Sequence, residues 1–164
     1  MRTLSHSSLV EVLATWGEHE ARGRKHDDPH SDIGDRLAYI DFALRSRAVG
    51  IAAILERNPQ ATTLVEFDPP ESDAFVLLDG RSVDDWIHAA RKDNGAEWAH
   101  FRRLVEGDVP PAGPLVASAR FQPPQNSIGP ITLWDGWHRA AAWRERCRNG
   151  RPSRISAFLI LTRK

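Results

Sequence analysis

The chain has 164 residues, 41% of them hydrophobic and 27% charged, with a formal net charge of zero. That is the size and balance of one ordinary domain with a core to bury, and a neutral total gives no strong general attraction to DNA. No apolar run approaches the roughly 18 residues of a membrane-spanning helix, and Met1-Arg2-Thr3-Leu4-Ser5-His6 opens no signal-like apolar block. The single Cys147 excludes an internal disulfide and a cysteine-based zinc site, so a cytoplasmic location is expected.

Ser8-Leu9-Val10-Glu11 has the form of a capping box, and Leu9, Val12, Leu13 and Trp16 recur on one face, which predicts a helix over 8–21. The polar stretch 22–31 ends it. His19, His26, Asp27, Asp28, His30 and Asp32 mix imidazole with carboxylate, donors that suit zinc, iron or manganese, but their spacing matches no metal motif and 26–30 reads as a polar loop. Leu37, Ile40, Leu44, Ala48, Ile51 and Leu55 then fall at helical spacing until Asn58-Pro59, predicting a second helix packed on the first as a hairpin. Residues 1–60 therefore read as a helical extension.

An apolar run over 74–78 closed by Asp79-Gly80 reads as strand and turn, and Ser82-Val83-Asp84-Asp85 opens a helix whose Val83, Trp86, Ile87 and Ala90 share a face. Arg81, between that turn and that helix, is either an exposed turn residue or a second contact for a bound anion. A helix over 97–105 and the loop 107–114, rich in proline and glycine, lead to a strand over 115–121. A long hairpin connection, 122–130, joins it to a strand over 131–134; a helix over 140–148 and a strand over 155–161 follow. Residues 61–164 read as an α+β core, a small mixed sheet with packed helices, forming one compact unit with the extension.

The charge is unevenly spread. From His138 to Lys164 eight lysines or arginines meet one acid, Glu145, a balance of +7, so the preceding residues sum to −7. The basic segment could attract a nucleic acid, a nucleotide or the acidic part of a second copy; equally, its arginines could solvate the outer face of one helix.

The most informative junction is Asp135-Gly136-Trp137-His138-Arg139, where an apolar strand meets a glycine turn and then a helix. The first amide groups of a helix lack internal partners and carry the positive end of its dipole, so such a turn can hold an anion. Gly136 would let the backbone approach a phosphate, and Arg139 would add a bidentate donor fork. His138 could donate to a phosphate or act as acid or base, and also suits a structural role. Asp135 is open to three tasks: capping the helix, binding magnesium, or taking a proton from an attacking hydroxyl. Three of the six tryptophans sit here. Trp134 and Trp143 suit the core, whereas Trp137 points off the face shared by Gly136, Ala140, Trp143 and Cys147 and suits ligand contact or an interface. Cys147 reads as a core residue.

The ordered strand, Asp-Gly-Trp-His-Arg motif, alanine-rich helix and closing strand resemble the ParB/sulfiredoxin-like superfamily, most strongly over 114–162 and more weakly back to Ala74. The resemblance implies ATP or CTP at the motif turn, and its members include sulfiredoxins, free serine kinases, chromosome-partition clamps and proteins described as nucleases. Sulfiredoxins carry a reactive cysteine where this chain has Trp137, which argues against their chemistry. The partition clamps use a Gly-Glu-Arg-Arg variant followed by a helix-turn-helix domain, which is not visible here. Similarity to the free serine kinases implies a catalytic role for Asp135. A nuclease is disfavoured because no clustered acidic metal motif is seen. The expected function is nucleoside triphosphate binding, with Gly136, Trp137, His138 and Arg139 on the ligand, Asp135 and His138 as catalytic candidates, and Asp135 on magnesium for phosphoryl transfer or hydrolysis. The alternative is a noncatalytic module that binds a protein or nucleic-acid partner.

Overall fold

The computed structural model describes residues 1–23, 36–108, 113–122 and 127–163. His26, Asp27, Asp28, His30 and Asp32 lie outside them, as do 109–112 of the proline-rich loop. Among the described residues six α-helices and a six-stranded mixed sheet make a small α+β fold.

The chain opens with a strand, β1 (Arg2–Ser7), which is exposed along nearly all its length. It pairs antiparallel with β2 (Pro59–Phe67), so the first sixty residues are not wholly helical: they contribute an edge of the sheet. Between them lie α1 (Leu9–Gly23), α2 (Arg36–Ser46) and α3 (Ala48–Glu56). The short strand β3 (Phe75–Val76) precedes α4 (Val83–Asp93) and α5 (Ala96–Glu106). Then come β4 (Leu115–Gln122), β5 (Ser127–Asp135), α6 (Trp137–Arg148) and β6 (Ile155–Thr162). The strand order is β1-β2-β6-β4-β5-β3, with β6–β4 and β5–β3 parallel and the other pairs antiparallel. No helix among the described residues is long and apolar enough to cross a membrane.

Alternation along the central strands builds two cores. Ile155, Ala157 and Leu159 of β6, with Leu115, Ala117 and Ala119 of β4, face Trp86, Phe101 and Trp143 from α4, α5 and α6. Phe158 and Ile160, with Val116 and Trp134, face Val12, Trp16, Ala43, Ile51 and Ile54 from α1, α2 and α3. Strands covered on both sides read as continuous apolar runs, as β6 does. Trp134 and Trp143 are both core residues; their indole N–H groups donate to Ser118 Oγ at 2.8 Å and to the Ser153 carbonyl at 2.7 Å. Cys147 is half-buried against the first of these cores.

The capping box of α1 forms as expected: the Ser8 N–H donates to Glu11 Oε2 at 2.6 Å and the Glu11 N–H to Ser8 Oγ at 3.2 Å. Where α1 meets α2 there is no space for a side chain, since a Cβ on Gly17 would lie 1.8 Å from the backbone oxygen of Tyr39. This approach corrects the expected face of the second helix. The segment is two helices broken at Arg47, and Phe42, Ala43, Ile51 and Ile54 are buried while Leu37, Leu44 and Leu55 are exposed. Small Ala43 permits contact that the larger leucines would prevent.

Much of the basic segment is engaged within the fold. Arg144 and Arg148 both hold Asp84 in two-point contacts of 2.6–2.8 Å, and Arg144 also reaches Asp73. Burial alone would raise the Asp84 carboxyl, but hydrogen bonds from Arg148 and Arg144 outweigh it and hold the group below its ordinary pKa. Arg154 pairs with Asp68 and Glu66, and buried Arg146 donates to the carbonyls of Val105 and Gly107 at the end of α5. These arginines fasten helices and strands together.

Candidate functional site

Asp135 ends β5 and Gly136 begins α6 in the left-handed conformation, with φ at 82°. No side chain caps α6 and no acid lies in its first turn. Starts with Ser8 and Ser82 have full capping boxes by comparison. Asp135 is therefore not the helix cap. Its Oδ2 accepts from Arg139 Nη2 at 2.9 Å, one helical turn on, and both side chains are mostly buried.

Arg139 is folded back over the turn. A Cβ on Gly136 would lie 2.7 Å from Arg139 Nη2, 3.0 Å from its Nε and 2.6 Å from Leu115 Cδ2. Nη1 donates to the Pro114 carbonyl at 3.3 Å, just before β4. A second left-handed glycine, Gly113, makes room on the same side: a Cβ there would lie 2.9 Å from the His19 ring and 3.0 Å from Arg139 Nη1. Burial lowers the pKa of Arg139, with the charges of Asp135 and Glu20 opposing that shift, and the guanidinium stays cationic at neutral pH.

These groups line a cleft of about 550 Å³ formed by His19 and Glu20 of α1, Arg47 at the α2–α3 joint, His100 and Leu104 of α5, and Asp135 to Arg139. It spans the end of the sheet, with one wall from each helical layer. All five motif residues are brought together there. His19 belongs to this cleft. Arg81 folds onto Asp79, with Nε 2.6 Å from its carboxylate, and is an exposed turn residue. No group of three histidine, cysteine or acidic side chains suited to a metal ion occurs among the described residues.

The aromatic side of the cleft is self-packed. Trp137 and His138 stack with ring centres 3.7 Å apart; Trp86 meets the Trp137 ring edge-on at 4.7 Å, and His100 meets the His138 ring edge-on at 4.9 Å. One face of Trp137 is thus already covered. Burial, with His100 nearby, pushes the pKa of His138 down to about 4, against a smaller opposing pull from Asp135. His138 is neutral at physiological pH and can donate a hydrogen bond or accept a proton, but it is not a standing cation. Its Nε2 is buried without a hydrogen-bond partner among the described residues.

That depressed value makes stability depend on pH. Between pH 6.5 and about 4 the unfolded chain takes up a proton at this histidine that the folded chain refuses, so stability falls as pH falls through that window. Above pH 6.5 both states are neutral at this site and it contributes no slope. Allowing for partial solvent access, the loss is about 1–2 kcal/mol. Thermal melts of His138→Gln from pH 4 to 7 are expected to show a shallower acid slope than the parent; an identical slope would mean that the imidazole protonates freely in the folded protein.

Comparison with known protein families, with characterised proteins and with solved structures finds no match for this chain. The motif residues were readable from the strand, glycine turn and helix. Glu20, Arg47, His100 and Gly113 were not, and His19 was singled out only among possible metal donors, because they arrive from separate elements with no shared spacing.

Proposed function

We propose that the cleft binds a nucleoside triphosphate, ATP or CTP, with phosphate oxygens on the first amides of α6 and on Arg139. The observation that carries this reading is the position of the Arg139 guanidinium, laid across Gly136 at the start of a helix that has no side-chain cap. The resemblance of the motif to the ParB/sulfiredoxin-like superfamily supports the same ligand class. His138 would serve as a neutral donor through Nε2, and Trp137 has at most one face left for a base.

The donor set fits magnesium that arrives with the nucleotide. Among the described residues the carboxylates lining the cleft are Glu20 and Asp135, each engaged by an arginine. Magnesium usually keeps several waters and binds through one or two carboxylates and substrate phosphates. Asp135 would hold it through Oδ1, Oδ2 being taken by Arg139, and the ion would neutralise charge on the transferring phosphate. For phosphoryl transfer or hydrolysis, Asp135 and His138 are the groups able to take a proton from the attacking oxygen.

The alternative, a noncatalytic interaction module, draws little support from the basic segment, where Arg139, Arg144, Arg146, Arg148 and Arg154 are engaged internally. It rests instead on exposed Leu44, Val49 and Leu55 on α2 and α3.

Thermal-shift measurements with ATP, CTP, GTP and UTP, with and without magnesium, test the nucleotide reading. At 100-fold excess over Kd the bound nucleotide is expected to raise Tm by about 5–10 °C. Arg139→Gln is expected to abolish the rise while remaining folded by circular dichroism. The absence of any shift at millimolar nucleotide would overturn the proposal.

A further inference from the structure

Arg47 is carried by the break between α2 and α3, where it is the residue preceding α3. Its Nη2 contacts Glu20, a mostly buried acid that also acts on the charge of Arg139. A chain of alternating charge therefore crosses the cleft: Asp135 and Arg139 on the α6 side, Glu20 and Arg47 on the α1–α3 side. Arg47 Nε is buried and has no hydrogen-bond partner among the described residues. Among the described residues, Arg47 and Arg139 are the arginines lining the cleft, and no lysine lines it.

A single phosphate at the start of α6 can be served by the helix amides and Arg139. Each further phosphate adds negative charge, and His138 and His100 are poor counter-charges because burial lowers both their pKa values. The opposite wall supplies what is missing, a guanidinium with an unmet donor.

We propose that Arg47 is a second phosphate-gripping residue of this cleft and sets its preference for triphosphates over monophosphates, through the juxtaposition of its guanidinium with the α6 turn. This rests on the nucleotide reading above. Arg47 takes the outer phosphate, exchanging part of its contact with Glu20 for the ligand, while Arg139 and the α6 amides take the inner one. Because Arg47 rides on the α2–α3 joint, a triphosphate ties the two helical layers together and a monophosphate does not.

The test is titration calorimetry of the full chain with the mono-, di- and triphosphate of whichever nucleoside binds, in magnesium buffer, for the parent, Arg47→Gln and Arg47→Lys. Loss of one charge-assisted contact is expected to weaken triphosphate binding by about 10- to 100-fold in Arg47→Gln and to leave monophosphate binding unchanged. Arg47→Lys, which keeps a cation beside Glu20, is expected to retain more of the triphosphate preference than Arg47→Gln. Equal weakening toward all three ligands would overturn the proposal by making Arg47 a purely structural partner of Glu20. No change in any affinity would also overturn it, while leaving the nucleotide site standing. A parent protein that binds none of the three would overturn the nucleotide reading itself.

Discussion

Gly136→Ala is expected to lower the free energy of unfolding by about 2–4 kcal/mol and to abolish stabilisation by nucleotide. Two costs combine. A side chain at φ of 82° is strained, at about 1–2 kcal/mol. The new methyl group also meets Leu115 Cδ2 at 2.6 Å and the Arg139 guanidinium at 2.7 Å, both in a tightly packed region. Leu115 is fully buried, so Arg139 must move, and its contacts with Asp135 and Pro114 go with it. Urea denaturation, with and without nucleotide, reads both effects. Parent-like stability would show that the turn relaxes easily and that the glycine is not what holds the arginine in place.

Gly17→Ala is expected to destabilise by about 2–3 kcal/mol, although alanine is the better helix former by roughly 1 kcal/mol. The obstacle is backbone: the Tyr39 oxygen, 1.8 Å from the added carbon, has no rotamer to change. Relief requires α1 to withdraw from α2, which loosens Val12 and Trp16 in the second core. His19 and Glu20 lie on the next turn of α1, so the wall of the cleft facing α6 moves with it. Chemical denaturation gives the energetic loss, and weaker triphosphate binding by the folded fraction gives the displacement. A Gly17→Ala protein as stable as the parent would place α1 farther from α2 than described.

The strand, motif turn, α6 and β6 were legible because apolar runs, one glycine and an alanine-rich segment each point to a single local structure. The starts of α1 and α4 were legible for a similar reason, as Ser8 and Ser82 each stand three residues before an acid. β1 was not: Arg2-Thr3-Leu4-Ser5-His6-Ser7 has little to bury, and it is a strand because β2 offers it an edge. In β2, Leu64, Val65 and Phe67 send side chains to opposite cores, which removes the alternation that marks a one-sided strand. The buried face of α2 and α3 was legible only at Ile51, because leucines at helical spacing mark one side whereas close approach at Gly17 selects the side with Ala43. The opposing cations of the cleft depend on which layer each helix joins, and that is set by the sheet rather than by any local pattern.

β6 is the last strand in sequence among the described residues, yet it lies inside the sheet, between β2 and β4. Until it inserts, β1 and β2 form one partial sheet and β4 and β5 another, with no ladder joining them. Its antiparallel partner β2 is far away along the chain, and such non-local pairing is slow because loop closure must precede any gain from contact. During synthesis the earlier segments must therefore wait, partly uncovered, for residues 155–162 to emerge. The two walls of the cleft ride on opposite layers, so the site takes shape only when this final strand closes the sheet.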